Sequence, residues 1–278
     1  MSNTLSVTDQ HVPVRVADRD YRIECRLIAA EKTDRPLVIF LHEGLGSVAL
    51  WRDWPAQFCE QADCRGLVYS RYGYGSSTPR PASEKWPLSY MHDHARDHLP
   101  AILQALGLQN ELPVLFGHSD GASIALLYAA MHPQHTGAVA VAAPHIFVED
   151  ITIESIAKAR EAYLNTDLPQ KFARYHADPD SAFWGWNDIW LNPEFKNWNI
   201  EAYLSDIQCP VLAIQGTDDE YGTLAQIQGI QRIAPKAELC IIDDCRHSVH
   251  KDQTDILNRA LIKFIASVQP SLALNSNN

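Results

Sequence analysis

The chain has 278 residues, 46% of them hydrophobic and 21% charged, a globular composition long enough to bury one large core or two modest ones, so disorder is not its default state. The formal net charge is −11, from 34 acidic against 23 basic residues with no lysine or arginine block, which repels a phosphate backbone on average and argues against nucleic acid as a partner. The opening MSNTLSVTDQHVPVRVADRD lacks both the apolar run of a signal peptide and the basic, acid-poor look of a transit peptide, no apolar stretch approaches bilayer-spanning length, and the six cysteines contain no CxxC. A cytoplasmic protein with free thiols and no membrane partner is expected.

Two strand-like runs come first, HVPVRV (11–16) and YRIECRLIA (21–29), with no helix between them, which predicts an antiparallel hairpin. Short apolar, strand-like runs then alternate with helical spacing. PLVIF (36–40) precedes a helix over 50–62, RGLVYS (65–70) one over 89–106, and LPVLF (112–116) one over 120–131. After GAVAVAA (137–143), PVLAIQ (210–215) precedes a helix over 222–233 and AELCII (237–242) one over 249–268. This alternation predicts an α/β fold, a mostly parallel twisted sheet of about eight strands with helices on both faces. The rhythm breaks once. Residues 144–210 carry helical patterning, four of the seven tryptophans and no convincing sheet strand. They are expected to form a helical lid inserted into a core made of 1–143 and 211–278. The polar tail LNSNN (274–278) is expected to fray.

The chemistry-bearing stretch is GHSDG (117–121), between LPVLF and a small-residue helix. The G-x-S-x-G spacing has a steric reason: the middle residue, Ser119, takes a strained conformation, and the flanking glycines let strand and helix pass without collision. Asp120 then opens the helix, where its charge suits the dipole and its N–H can point at a developing oxyanion. The plain alternative is an ordinary turn with Ser119 as a helix cap. A serine hydroxyl needs a base, and the base needs a carboxylate to orient it. Later strand ends supply both, GTDDEYG (216–222) and DCRHSVH (244–250), in the order Ser, Asp, His. Asp218 competes with Asp219, and His250 with His247; His247 lies in the loop after the last strand and His250 in the first turn of the final helix.

On these residues the chain resembles the α/β-hydrolase fold superfamily, in the branch of small lidded esterases, epoxide hydrolases and carbon–carbon bond hydrolases, over nearly all its length. LHEGLGSVALW (41–51) resembles the family's His-Gly oxyanion loop and SRYGYGSS (70–77) its glycine-rich turn. The resemblance implies a cofactor-independent serine hydrolase acting through an acyl-enzyme, with Ser119 as nucleophile, His247 as base and Asp219, three residues after Gly216, as the acid. Asp218 then reads as a turn residue and His250 as a surface or supporting residue. The oxyanion donors would be the backbone N–H groups of Asp120 and Gly44. One departure stands out: where relatives have His-Gly, this chain has His42, Glu43, Gly44. A carboxylate aimed at the oxyanion would oppose the transition state, so Glu43 either contacts the substrate's polar end or forms a loop salt bridge.

The implied partner is a small-molecule substrate, a small or medium carboxylic ester. The rival readings are a carbon–carbon bond hydrolase of vinylogous diketones and a non-enzymatic ligand receptor on the same fold. No cofactor or metal is expected: His94 and His98, in MHDHARDH (91–98), read as a solvated helix face rather than a metal site. Gly73 and Gly75 lack the third glycine of a dinucleotide loop. In FWGWNDIWLNPEFKNW (183–198) the aromatics either pack a small core or line the pocket, and Trp184 and Trp186 are the pocket candidates. The sequence offers no handle on oligomeric state.

Overall fold

The computed structural model describes residues 5–275. Strands β1 (Val7–Val16) and β2 (Arg19–Ile28) form the antiparallel hairpin, followed by β3 (Leu37–Leu41), β4 (Arg65–Tyr69), β5 (Val114–His118), β6 (Ala138–Ala142), β7 (Val211–Gly216) and β8 (Glu238–Ile242). The eight strands make one sheet in the order β1-β2-β4-β3-β5-β6-β7-β8. Pairs β1/β2 and β2/β4 are antiparallel, and all others are parallel.

The five-residue strands β3 to β6 are buried throughout, as parallel strands covered on both faces must be. Their two-residue period feeds two cores. Leu37, Ile39 and Leu41 face a core shared with α3 (Leu99–Ala105), α4 (Asp120–Met131) and α9 (Ala225–Ile233). Val38 and Phe40 face the other, shared with α1 (Trp54–Ala62), α10 (Val249–Asp252) and α11 (Thr254–Asn275). Phe40 meets Trp51, Trp54, Phe58 and Phe116 edge to face, so truncating it to alanine would cost about 3–5 kcal/mol. Helix α4 is buried from Asp120 to Ala130; an all-round apolar, small-residue helix of this kind sits centrally rather than on the surface.

The helix expected over 89–106 is not continuous. It is built from α2 (Tyr90–Asp93), a π turn over His94–His98, and α3. Pro100, which has no N–H for the preceding turn, stands at the junction. The solvated face expected for His94 and His98 is corrected here: His94 is buried, its ring 4.7 Å from that of His98, and burial holds its pKa well below the usual histidine value. The last three residues of the tail expected to fray lie outside the described residues, and α11 reaches Asn275.

Between β6 and β7 the chain forms α5 (Asp150–Asn165), α6 (Leu168–Phe172), α7 (Pro179–Trp190), a 3-10 turn (Pro193–Asn197) and α8 (Glu201–Leu204). The only β contact there among the described residues is an isolated bridge, Phe147 to Asn199. Asp178 caps α7 by accepting from the Ser181 N–H at 2.9 Å, with Pro179 preset at the first position. This segment is tied to loops at the carboxyl ends of β3 and β4. Gly75 N–H donates to His176 Nδ1 at 3.0 Å, which leaves His176 Nε2–H to donate to the Leu45 carbonyl at 3.0 Å. Among the described residues no helix is long and apolar enough to cross a membrane, and no group of three or more His, Cys, Asp or Glu gathers as a metal site.

Candidate active site

Ser119 stands where β5 turns into α4, at φ 53° and ψ −120°. That region is costly for a residue with a Cβ, and the surroundings impose it. A Cβ on Gly117 would collide with the Gly121 carbonyl, and one on Gly121 with the Leu41 carbonyl, so both glycines of the pentapeptide are required by close backbone approach. The Ser119 side chain makes no capping bond to α4. That absence argues against the ordinary-cap alternative.

Asp219 and His247 come together from the loops after β7 and β8. His247 Nδ1 lies 2.8 Å from Asp219 Oδ1. The same oxygen accepts the Tyr221 N–H at 2.8 Å, and Oδ2 accepts from Gln215 Nε2 at 2.7 Å. An acceptor-only carboxylate with these partners places the imidazole proton on Nδ1 and leaves Nε2 as the free nitrogen. Burial alone would lower the His247 pKa, but Asp219 outweighs it and lifts it above the usual value. Burial alone would raise Asp219, and His247 outweighs that in turn. Asp218 is exposed and only its N–H is engaged, by the Cys245 carbonyl at 3.0 Å. His250 is buried against Trp51 and Trp54, with burial holding its pKa at about 3.

Glu43 neither points at solvent nor forms an exposed salt bridge. Its side chain is 16% exposed, and Oε2 lies 3.6 Å from Nδ1 of His118, the residue before Ser119. Burial would raise its carboxyl, yet His118 reverses that and holds it well below the usual glutamate value. Next to it, Gly44 has Trp186 of α7 lying on its Cα, so that any Cβ there would strike the indole. No hydrogen-bond partner for the Gly44 or Asp120 N–H is found among the described residues.

One cavity of about 250 Å³ is lined by Ser119, His247, Glu43, Gly44, Asp120 and Trp186, together with Trp190, His145 and Tyr221. Trp184 is the correction. It lines a separate cavity with Arg80 and Trp86 and packs on Tyr163 and Phe183. Two residues apart on a helix means nearly opposite faces, whereas Trp186 and Trp190, four apart, share one. That spacing was the available signal for Trp190. Nothing in the sequence marked His145, Tyr221 or His118 as wall residues beyond their closeness to the strand ends.

A family model described as alpha/beta hydrolase fold matches residues 36–205. The chain belongs to this family. The matched span of this α/β-hydrolase contains Ser119 and ends before Asp219 and His247. It is 23% identical to the monoglyceride lipase of Rattus norvegicus over 96% of this chain and 95% of that protein. It is also 30% identical to the probable lysophospholipase BODYGUARD 4 of Arabidopsis thaliana, over 44% of this chain but only 29% of that protein. Among solved structures, a carboxylesterase from Nitrososphaera gargenis superposes with a TM-score of 0.74 at 17% identity, covering 93% of this chain and 99% of its own. A thermophilic esterase from Thermogutta terrifontis gives 0.71 at 16% identity, with the same coverage. At such identities the likeness is one of fold.

Proposed function

We propose that this α/β-hydrolase is a cofactor-independent serine hydrolase acting on a small or medium carboxylic ester. The observation that carries the reading is the meeting, on one cavity, of a strained and uncapped Ser119 with a His247 whose Nδ1 is bonded to Asp219. In this scheme His247 Nε2 takes the Ser119 proton as Oγ attacks the carbonyl carbon, and the N–H groups of Asp120 and Gly44 hold the oxyanion. The tetrahedral adduct collapses, His247 returns the proton to the leaving alcohol, and a water deprotonated by His247 releases the acid from Ser119. Asp219 orients the ring and stabilises its charged form.

The helices between β6 and β7 act as a lid (144–210) on a core of 1–143 and 211–278, with Trp186 closing the cavity over the oxyanion loop. The size of that cavity, about 250 Å³, lies just below the range usual for drug-sized ligands and favours a small acyl group. Glu43, on the cavity wall, faces the polar end of the substrate. All six cysteines are free, consistent with a reducing cytoplasm.

The test is hydrolysis of chromogenic acyl esters of graded chain length by the wild type and by Ser119→Ala. Turnover by the wild type that is highest on short chains and vanishes in the variant is the expected result. A wild type that turns over no ester, or a variant that retains the activity, overturns the reading.

A further inference from the structure

We propose that the buried Arg71–Asp120 pair positions the oxyanion hole, fixing the direction of one N–H donor through Arg71 and cancelling the charge beside the other. The inference rests on the serine-hydrolase reading above and explains why an aspartate follows the nucleophile.

Both side chains are about as buried as any in the molecule, each 1% exposed, with Arg71 Nη2 3.6 Å from Asp120 Oδ2. Arg71 reaches back to the oxyanion loop. Nη1 donates to the His42 carbonyl at 3.0 Å and Nη2 to the Glu43 carbonyl at 3.1 Å. His42 completes the clamp. Its Nε2 accepts the Arg71 backbone N–H at 3.0 Å, so the proton of the neutral ring is on Nδ1, which donates to the same Glu43 carbonyl at 2.7 Å. A planar trans peptide with its C=O held by two donors has its N–H directed to the opposite side. That N–H belongs to Gly44. The guanidinium fork thus sets the direction of a group to which it makes no bond.

At the other end, Asp120 Oδ2 accepts from Tyr90 Oη at 2.8 Å and Oδ1 from Trp190 Nε1 at 3.2 Å. Its carboxylate is turned into the interior, yet it stands in the residue whose N–H would meet the oxyanion. An uncompensated negative charge so close, in a buried setting, would oppose the transition state. The Arg71 guanidinium supplies the compensation and is in turn oriented by Asp120. Trp190 sits on the same face of α7 as Trp186, which lies on Gly44. The lid helix therefore touches both donors' supports.

A purely structural role for the pair would change folding and leave the chemistry of the folded enzyme alone. The test compares Arg71→Lys, Arg71→Met, Asp120→Asn and the Met/Asn double variant, each matched for folded fraction by circular dichroism. Two readouts are steady-state ester hydrolysis and the rate at which a fluorophosphonate probe phosphonylates Ser119, where Oγ displaces fluoride from phosphorus and His247 takes the proton. We expect kcat and the labelling rate to fall by about 10²-fold with KM within about threefold, the loss typical of one misplaced oxyanion donor. The Arg71→Lys variant, which keeps the charge but lacks the fork, should recover only part of that loss. The double variant should be no worse than the Arg71→Met single, because the two side chains act as a unit. Folded variants with unchanged kcat, a loss confined to KM, or multiplying single effects would overturn the proposal. If the arginine variants fail to fold, Asp120→Asn decides alone, since asparagine keeps the size of the side chain and its Oδ1 can still accept from Trp190 Nε1 while its Nδ2 donates to Tyr90 Oη. Absence of Ser119 labelling in the wild type would instead sink the hydrolase reading itself, and this proposal with it.

Discussion

Two histidine–carboxylate pairs flank Ser119, and they are not equivalent. Asp219 and His247 meet at 2.8 Å in an aligned hydrogen bond, whereas Glu43 and His118 stand 3.6 Å apart without one. The difference begins with the other nitrogen. His118 Nε2 lies 2.9 Å from the His247 carbonyl, an acceptor only, so that nitrogen must carry a proton and is spent on the backbone. His247 gives its Nδ1 proton to Asp219 and keeps Nε2 unspent. A histidine beside a carboxylate is thus not by itself a base; what matters is which nitrogen is left over. The Glu43–His118 pair holds the His247 loop from behind, through the bond from His118 Nε2 to the His247 carbonyl.

The sharpest way to break this comparison is Asp219→Asn. It should lower kcat by roughly 10⁴-fold, the cost of losing the orienting carboxylate. It should also move the acid limb of the kcat/KM–pH profile. In the proposed scheme catalysis needs neutral His247, so activity is lost as pH falls through its pKa, and that pKa is raised by Asp219. Removing the cause shifts the limb to lower pH. An unmoved limb would mean that Asp219 does not act on the titrating base.

A smaller effect is expected from His118→Asn. Loss of its bond to the His247 carbonyl should loosen the loop and lower kcat by about tenfold, while the acid limb stays where Asp219 sets it. A shift of that limb would show that the two pairs titrate as one network. The smallest contrast separates two tryptophans of α7. Trp186→Ala should raise KM several-fold on short esters, because it opens the cavity wall over Gly44. Trp184→Ala should leave KM and kcat within about twofold and cost only stability, on the order of 1–3 kcal/mol by denaturant melt. Equal kinetic effects would deny the two faces of α7 their different tasks.

The strand segments were legible because each carries its own two-residue or continuous apolar period, and all eight runs singled out fall on strands of the sheet. The pentapeptide was legible because its glycines answer a local steric demand. The acid and base were legible only as candidates. Asp218 and Asp219 are neighbours with the same side chain, and the turn after Gly216 decides which is buried against His247 and which is exposed. Aromatic content alone does not distinguish Trp184 from Trp186; the helical phase of α7 puts them on different faces. The burial of His94 is invisible to periodicity because it depends on the π turn over His94–His98 beside Pro100.

By itself the sequence determined the layered α/β sheet, the elbow at Ser119 and the order of candidate triad residues, since these follow from short-range periodicity, glycine sterics and chain order. The tertiary structure alone decided which histidine nitrogen is free, which tryptophans share the cavity, and that Arg71, Asp120 and Trp190 form one buried cluster. Trp190 and Asp120 are 70 residues apart, and His118 bonds a carbonyl 129 residues away. Such meetings depend on how whole elements are oriented against one another, and no local pattern along the chain encodes that orientation.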